Sequence, residues 1–132
     1  MTTDTIGVKR GTRVRRIDMV RKYAGCPECG GVGKRSHKGR RHVDEIGVGG
    51  PVVLEIAYSK HYCERCRKFF SIDMSHLAPS GGRYTRRVRN TARDLVERRG
   101  LTLERASGVM RSRYFVSVPP TTIYDWLGDE AS

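Results

Sequence analysis

The sequence predicts an α+β chain in which a small antiparallel sheet, with a cysteine pair at each of two turns, precedes a segment of three helices. Three observations carry this reading. Cys26-Pro-Glu-Cys29 and Cys63-Glu-Arg-Cys66 form two close pairs separated by thirty-three residues. The run PVVLEIAYSKHY from Pro51 is β-branched and aromatic and leads straight into the second pair, as a strand would. From Tyr84 onward, apolar residues recur at helical spacing.

Taken in order, residues 1–23 read as a basic N-terminal arm, of which 13–23 (RVRRIDMVRKY) forms either a short helix or an extended lead-in. In residues 24–76 the stretch AGCPECGGVGKR is a tight turn by its Gly and Pro, and 37–50 is rich in turn residues, with HVDEIG a further strand candidate. After the strand from Pro51 to Tyr62, RKFFSI (67–72) is the return strand of a hairpin. LAPSGG (77–82) reads as a linker to a third segment, residues 83–128. There Val88, Ala92, Leu95 and Val96 share one helix face, with Arg86, Arg87, Arg89 and Arg93 on the other. Gly100 suits a C-cap. Thr102 suits the N-cap of a second helix carrying Leu103, Ala106, Val109 and Met110. Pro119 and Pro120 stop that run, and Thr121 or Thr122 can cap a short third helix through Ile123 and Trp126.

At 132 residues the chain holds one ordinary domain or two very small ones, and small modules commonly need a metal or disulfide. The net charge of +12 favours a polyanionic partner: DNA, RNA or an anionic membrane surface. The charge is uneven. Residues 1–42 carry a net of +9, 43–82 of −1, 83–113 of +7 and 114–132 of −3. Twenty of the twenty-six basic residues are Arg, the better residue for bidentate contacts to phosphate and guanine. No apolar stretch has the length of a membrane span, and the polar start Met1–Ile6, with Asp4, is unlike a signal peptide. A reducing, cytoplasmic setting is the default expectation.

In that setting paired cysteines are metal ligands before they are disulfides. Zn²⁺ takes four thiolates in a tetrahedron, and each Cys-x-x-Cys turn aims two sulfurs at one ion. Pro27 and Gly30 favour such a turn. Cys26, Cys29, Cys63 and Cys66 are therefore the expected zinc ligands of a zinc ribbon. A redox pair or two disulfides are the alternatives, but a thioredoxin-like motif needs a βαβ setting that is missing. His61 could replace a thiolate, although four cysteines already fill the shell; His37, His42 and His76 read as surface or phosphate-facing residues. Four ligands close the site, so the zinc is expected to be structural rather than catalytic.

Three helices with a turn between the last two fit a helix-turn-helix. In that reading Thr121, Thr122 and Tyr124 of the third helix face the major groove, with Asp125 beside them. Arg83, Arg86, Arg87, Arg89 and Arg93, together with Arg111 and Arg113, hold phosphates. The alternative is a set of core-forming helices whose arginines are a solvated face. The third helix has no Lys or Arg and an acidic tail follows it, which shifts the weight of binding to the arginines.

CPECGG, RRHVDEIGVGGPVVLEIAYSKHYCERCRKFF and RYTRRVRNTARDL, in that order, resemble the N-terminal region of insertion-sequence transposases of the ISL-three family over roughly residues 24–127. Arg41, Asp44, Gly50-Pro51-Val52, Cys63, Cys66, Phe69 and Phe70 match the family's pattern. The resemblance implies a zinc ribbon plus helix-turn-helix that binds the terminal inverted repeats of a mobile element. It places catalysis in a separate downstream domain. Strand transfer needs carboxylates that hold two metal ions, and Asp44, Glu45, Asp73 and Asp94 do not suggest a triad. The chain is thus expected to be a non-enzymatic double-stranded DNA-binding module, whether fragment, truncated transposase or stand-alone regulator. It is expected to have no small-molecule substrate. An adaptor that docks on a protein partner, a homodimer and an RNA-binding ribbon remain as alternatives.

Overall fold

The computed structural model describes residues 11–79 and 82–128. The first ten residues of the expected arm, residues 80 and 81 of the expected linker and the acidic tail from 129 lie outside the described residues. The described residues form five strands and then three helices: β1 (Arg13–Met19), β2 (Tyr23–Gly25), β3 (Val32–Glu45), β4 (Val52–Cys63), β5 (Lys68–Ser71), α1 (Arg86–Glu97), α2 (Leu103–Tyr114) and α3 (Pro120–Leu127).

The apolar run expected as a strand is β4, and the whole sheet is built on it. Its first half pairs with β1, from Arg13 opposite Val52 to Met19 opposite Tyr58. Its second half pairs with β5, from Lys60 opposite Ser71 to Cys63 opposite Lys68. On its other side runs β3, which in turn carries β2. The sheet is mixed and not purely antiparallel, because β1 runs parallel to β4.

Two segments depart from the sequence reading. Residues 13–19 are a strand of the sheet, and the expected arm is not an arm there. Residues 37–41, read as turn-rich, join the expected strand candidate at 42–45 in a fourteen-residue strand whose only break is a register shift between Arg35 and His37. Both strands are made of polar residues with little alternation of their own. They are strands because β4 offers them a ladder and a row of apolar side chains to lie beside.

One face of the sheet is covered. Val43, Leu54 and Ile56 lie there with Ala78, all buried, and Ile17, Met19, Met74 and Leu77 pack around them. The segment expected as a linker is therefore part of the core at Leu77 and Ala78. The helices bury Val88, Ala92 and Leu95 of α1 against Ala106, Met110, Val116, Val118 and Ile123.

Thr85 caps α1, accepting from the Val88 N–H, and Thr102 caps α2, accepting from the Arg105 N–H. Gly100 adopts a left-handed φ of 71° just past α1, consistent with the expected stop. Neither Thr121 nor Thr122 caps α3. That helix has Pro119 as N-cap, two residues before Thr121, and Pro120 in its first turn, where the missing N–H costs nothing.

The helices are fastened to the sheet through the end of β3. The Asp44 N–H donates to Arg83 O (2.8 Å) and the Thr85 N–H to Asp44 O (2.9 Å). The buried Glu45 carboxylate accepts from Thr85 Oγ1 and from the Ile46 N–H, each at 2.8 Å. Arg41 Nη2 donates to the carbonyls of Pro79 and Gly82, the latter at 2.8 Å. The Gly47 N–H reaches Tyr114 O at the end of α2 (2.7 Å).

Candidate metal centre and cationic surfaces

The β2–β3 and β4–β5 connections are the two Cys-x-x-Cys turns, and they have the same construction. In the first, the Gly30 N–H donates to Cys26 O (2.8 Å); in the second, the Arg67 N–H donates to Cys63 O (2.7 Å). Gly30 and Arg67 each follow the second cysteine of their pair and both have a left-handed φ, 75° and 57°. Gly30 adopts that conformation at no steric cost, whereas Arg67 carries a strain of about 1–2 kcal/mol. β3 and β4 then bring the two turns face to face.

All four sulfurs lie within 4.8 Å of one another. Cys26 Sγ is 3.9 Å from Cys66 Sγ, and Cys29 Sγ is 3.6 Å from Cys63 Sγ. A disulfide needs roughly 2.05 Å, so the cysteines are free. A tetrahedral ion with metal–sulfur bonds of roughly 2.3 Å sets its ligands roughly 3.8 Å apart. The close pairs match that edge, so the cluster fits a single four-coordinate metal ion with little movement.

Four thiols this close share their protons unequally. The Gly31 N–H, 3.3 Å from Cys29 Sγ, leads in holding that thiol down to about 7, with the Cys66 thiol adding to it. The hydrogen bond to Cys29 in turn leads in pushing Cys66 up to about 12. A dication would displace these protons, so metal uptake is coupled to proton release and weakens as pH falls.

His61 is not among the ligands. It is fully buried, with Nδ1 3.1 Å from Gly33 O and Nε2 2.8 Å from Ser59 Oγ, and its ring stacks on Phe70. Ser59 Oγ also accepts from the Arg21 N–H (3.0 Å), so this buried chain ties the lead to β2 onto β4 and β3.

The arginines expected to hold phosphates divide into two sets. Arg83, Arg87, Arg111 and Arg113 are exposed. Arg86, Arg89 and Arg93 are not on an open face. Arg86 Nε donates to Ser75 O (2.8 Å), and Arg93 lies 3.5 Å from Glu97. Arg89 is buried, its guanidinium 5.9 Å from the centre of the Trp126 ring. The small apolar face of α1 leaves these arginine stems as part of the packing. On α3, Thr121 and Tyr124 are exposed and Ile123 is buried. Thr122 is half-buried and lines a cleft with Tyr84, Arg89 and Trp126.

Further cationic residues were missed by assigning the first basic block to an arm. Arg13, Arg15 and Arg16 stand exposed on β1, and Lys34, Arg35, Lys38 and Arg40 on β3, with Arg16, Arg35, Lys38 and Arg40 on the face of the sheet that carries Glu55 and the others on the opposite face. Between the two strands lies the buried Glu55 carboxylate, 3.2 Å from Arg16 Nε and 3.0 Å from His42 Nε2. Burial alone would push Glu55 up. The His42 hydrogen bond and the charges of Arg16 and Arg40 outweigh it and hold the carboxyl below its usual range. At the joint, burial pushes the Asp44 carboxyl up against the opposing pull of Arg83. RVRR and KRSHKGRR have no helical period, but only their pairing on either side of β4 shows them to be strands.

No family model matches the chain, and neither curated proteins nor solved structures give a match to it. No helix among the described residues is long and apolar enough to cross a membrane.

Proposed function

We propose that the chain is a zinc-dependent double-stranded DNA-binding module that recognises the terminal inverted repeats of a mobile element and does no chemistry on the DNA itself. The observation that carries the zinc assignment is the single cluster of four free thiols at tetrahedral spacing. Thiolates suit zinc, and four of them leave no open position for water or substrate.

Support for DNA comes from charge and its placement. The net charge is +12, and exposed arginines stand on both the sheet and the helical unit. In this reading α2 and α3 are the helix-turn-helix pair, joined through residues 115–119, and α3 offers Thr121 and Tyr124 to the major groove. Arg83, Arg87, Arg111 and Arg113 hold phosphates. The transposon-end target rests on the resemblance of the ordered motifs.

Duplex binding by the zinc-loaded protein, followed by fluorescence anisotropy between 50 and 200 mM salt, tests this. Affinity is expected to fall linearly on a log–log plot. Replacing Arg83, Arg87, Arg111 and Arg113 by Ala is expected to lower the slope by about one for each phosphate no longer neutralised, with zinc content and helicity unchanged. Binding indifferent to salt, or unchanged in the fourfold variant, overturns the reading. A chain that binds no nucleic acid but captures a protein would instead favour the adaptor role.

A further inference from the structure

Near the cysteine end the sheet carries a row that the duplex reading does not use. Tyr23 of β2 is opposite Lys34 of β3, Lys34 is opposite Tyr62 of β4, and Tyr62 is opposite Phe69 of β5. Directly opposed residues in neighbouring strands share a face, so these four side chains form one line across four strands.

That line is open to solvent at Tyr23, Lys34 and Phe69, with Tyr62 half-buried between them. Tyr23 is 56% exposed and Phe69 54%. The rings of Tyr62 and Phe69 are 4.9 Å apart, and the Lys60 ammonium stands 6.0 Å from the Phe69 centroid. His37 lies 6.1 Å from the same ring. Beside Tyr62 a cleft of ≈ 460 Å³ is lined by Lys34, Arg35 and Arg65, with one carboxylate, Glu64. The opposite face is closed: Phe70 stacks on His61, and its ring fills the place a Gly33 side chain would occupy. Of two adjacent phenylalanines, one is therefore spent on packing and the other is held out in water.

We infer that this face is a stacking platform for an unpaired stretch of nucleic acid, the Tyr23–Lys34–Tyr62–Phe69 row taking successive bases while the flanking cations hold the backbone. Exposed aromatics cost solubility and contribute no core here, whereas a base has a π-face that any aromatic can accept. Tyr62 and Phe69 form an adjacent ring pair, Tyr23 stands across Lys34 from them, and Lys34 and Lys60 supply ammonium groups beside the rings. A duplex hides its base faces, so this site and the helical unit read different states of a polynucleotide. The inference stands on the sheet alone and does not rest on the helix-turn-helix reading.

The test uses the zinc-loaded full chain with fluorescein-labelled dT12 and rU12 and a blunt duplex as probes. Binding of dT12 or rU12 is expected, with quenching of tyrosine fluorescence. Phe69→Leu and Tyr23→Leu are each expected to weaken it about tenfold. Phe69→Tyr and Tyr23→Phe are expected to retain it, which separates ring stacking from apolar packing. Duplex affinity is expected to be unchanged in all four. Preference for dT12 or for rU12 identifies the ligand as DNA or RNA, and either supports the platform. No binding of either oligonucleotide overturns it, as does binding that survives both leucine variants, since that is attraction to phosphate without stacking.

Discussion

Gly33 has no side chain because Phe70 occupies its place. A Cβ there would lie 2.5 Å from the ring, and moving the ring breaks its stack on His61. Gly33→Ala is therefore expected to cost about 1–3 kcal/mol in denaturant unfolding of the metal-loaded protein, and Phe70→Leu in the same chain to recover part of it. Equal stability of Gly33→Ala and wild type would show that the ring is not fixed. Glu55 gives the chain a pH dependence with a definite sign. Its carboxyl is held below the ordinary 4.5 in the fold, so the folded state binds fewer protons and the contribution to stability is present above that value. It is lost as pH falls through the folded value. Glu55→Gln is expected to lower the thermal midpoint at neutral pH, with the gap to wild type closing as the pH is taken down below 4.5. A gap independent of pH would mean that the charge on Glu55 does not matter.

At the scale of elements, the joint between sheet and helices is made by β3 and not by an independent linker. Arg41 supplies two of its hydrogen bonds, both to carbonyls, and no neutral side chain reaches as far with as many donors. Arg41→Ala is expected to cost about 1–3 kcal/mol and to loosen protease protection of residues 77–79 and 82–85, while zinc content stays at that of wild type. Loss of zinc in this variant would show that the joint and the metal centre are one cooperative unit. The elements legible in the sequence were those whose own residues carry the reason for their shape. β4 declares itself by its β-branched run, β5 by the aromatic pair after the turn, α1 by its period, and α2 by its apolar spacing and Thr102 cap. The cysteine cluster was legible because two short-range turns need only be brought together once. β1 and the first half of β3 were not, because their strand character comes from pairing with β4 far away in sequence. For Arg89 and Arg93, periodicity marked them as the polar face of α1. Only packing against Trp126 and pairing with Glu97 show that face to be partly covered.

At the scale of the molecule, the basic residues are distributed otherwise than their order along the chain suggests. The first basic block lies largely on β1 and β3, so the sheet is itself cationic, and the two cysteine turns stand at one end of it. The apolar core under the sheet is small, with four buried residues near the helical joint, and the cysteines stand at the other end of β4. That far end is held by the buried Ser59–His61–Phe70 contacts and by the cysteine turns, so under the proposed zinc reading a bound metal adds to its order, as in small metal-stapled modules. The measurement that bears most directly on this account is metal content and duplex affinity on one preparation, before and after chelation and after zinc is returned. The expected result is one zinc per chain, loss of the ribbon's protection and at least tenfold weaker binding on chelation, and recovery with zinc. A metal-free chain that keeps both its fold and its affinity would contradict it.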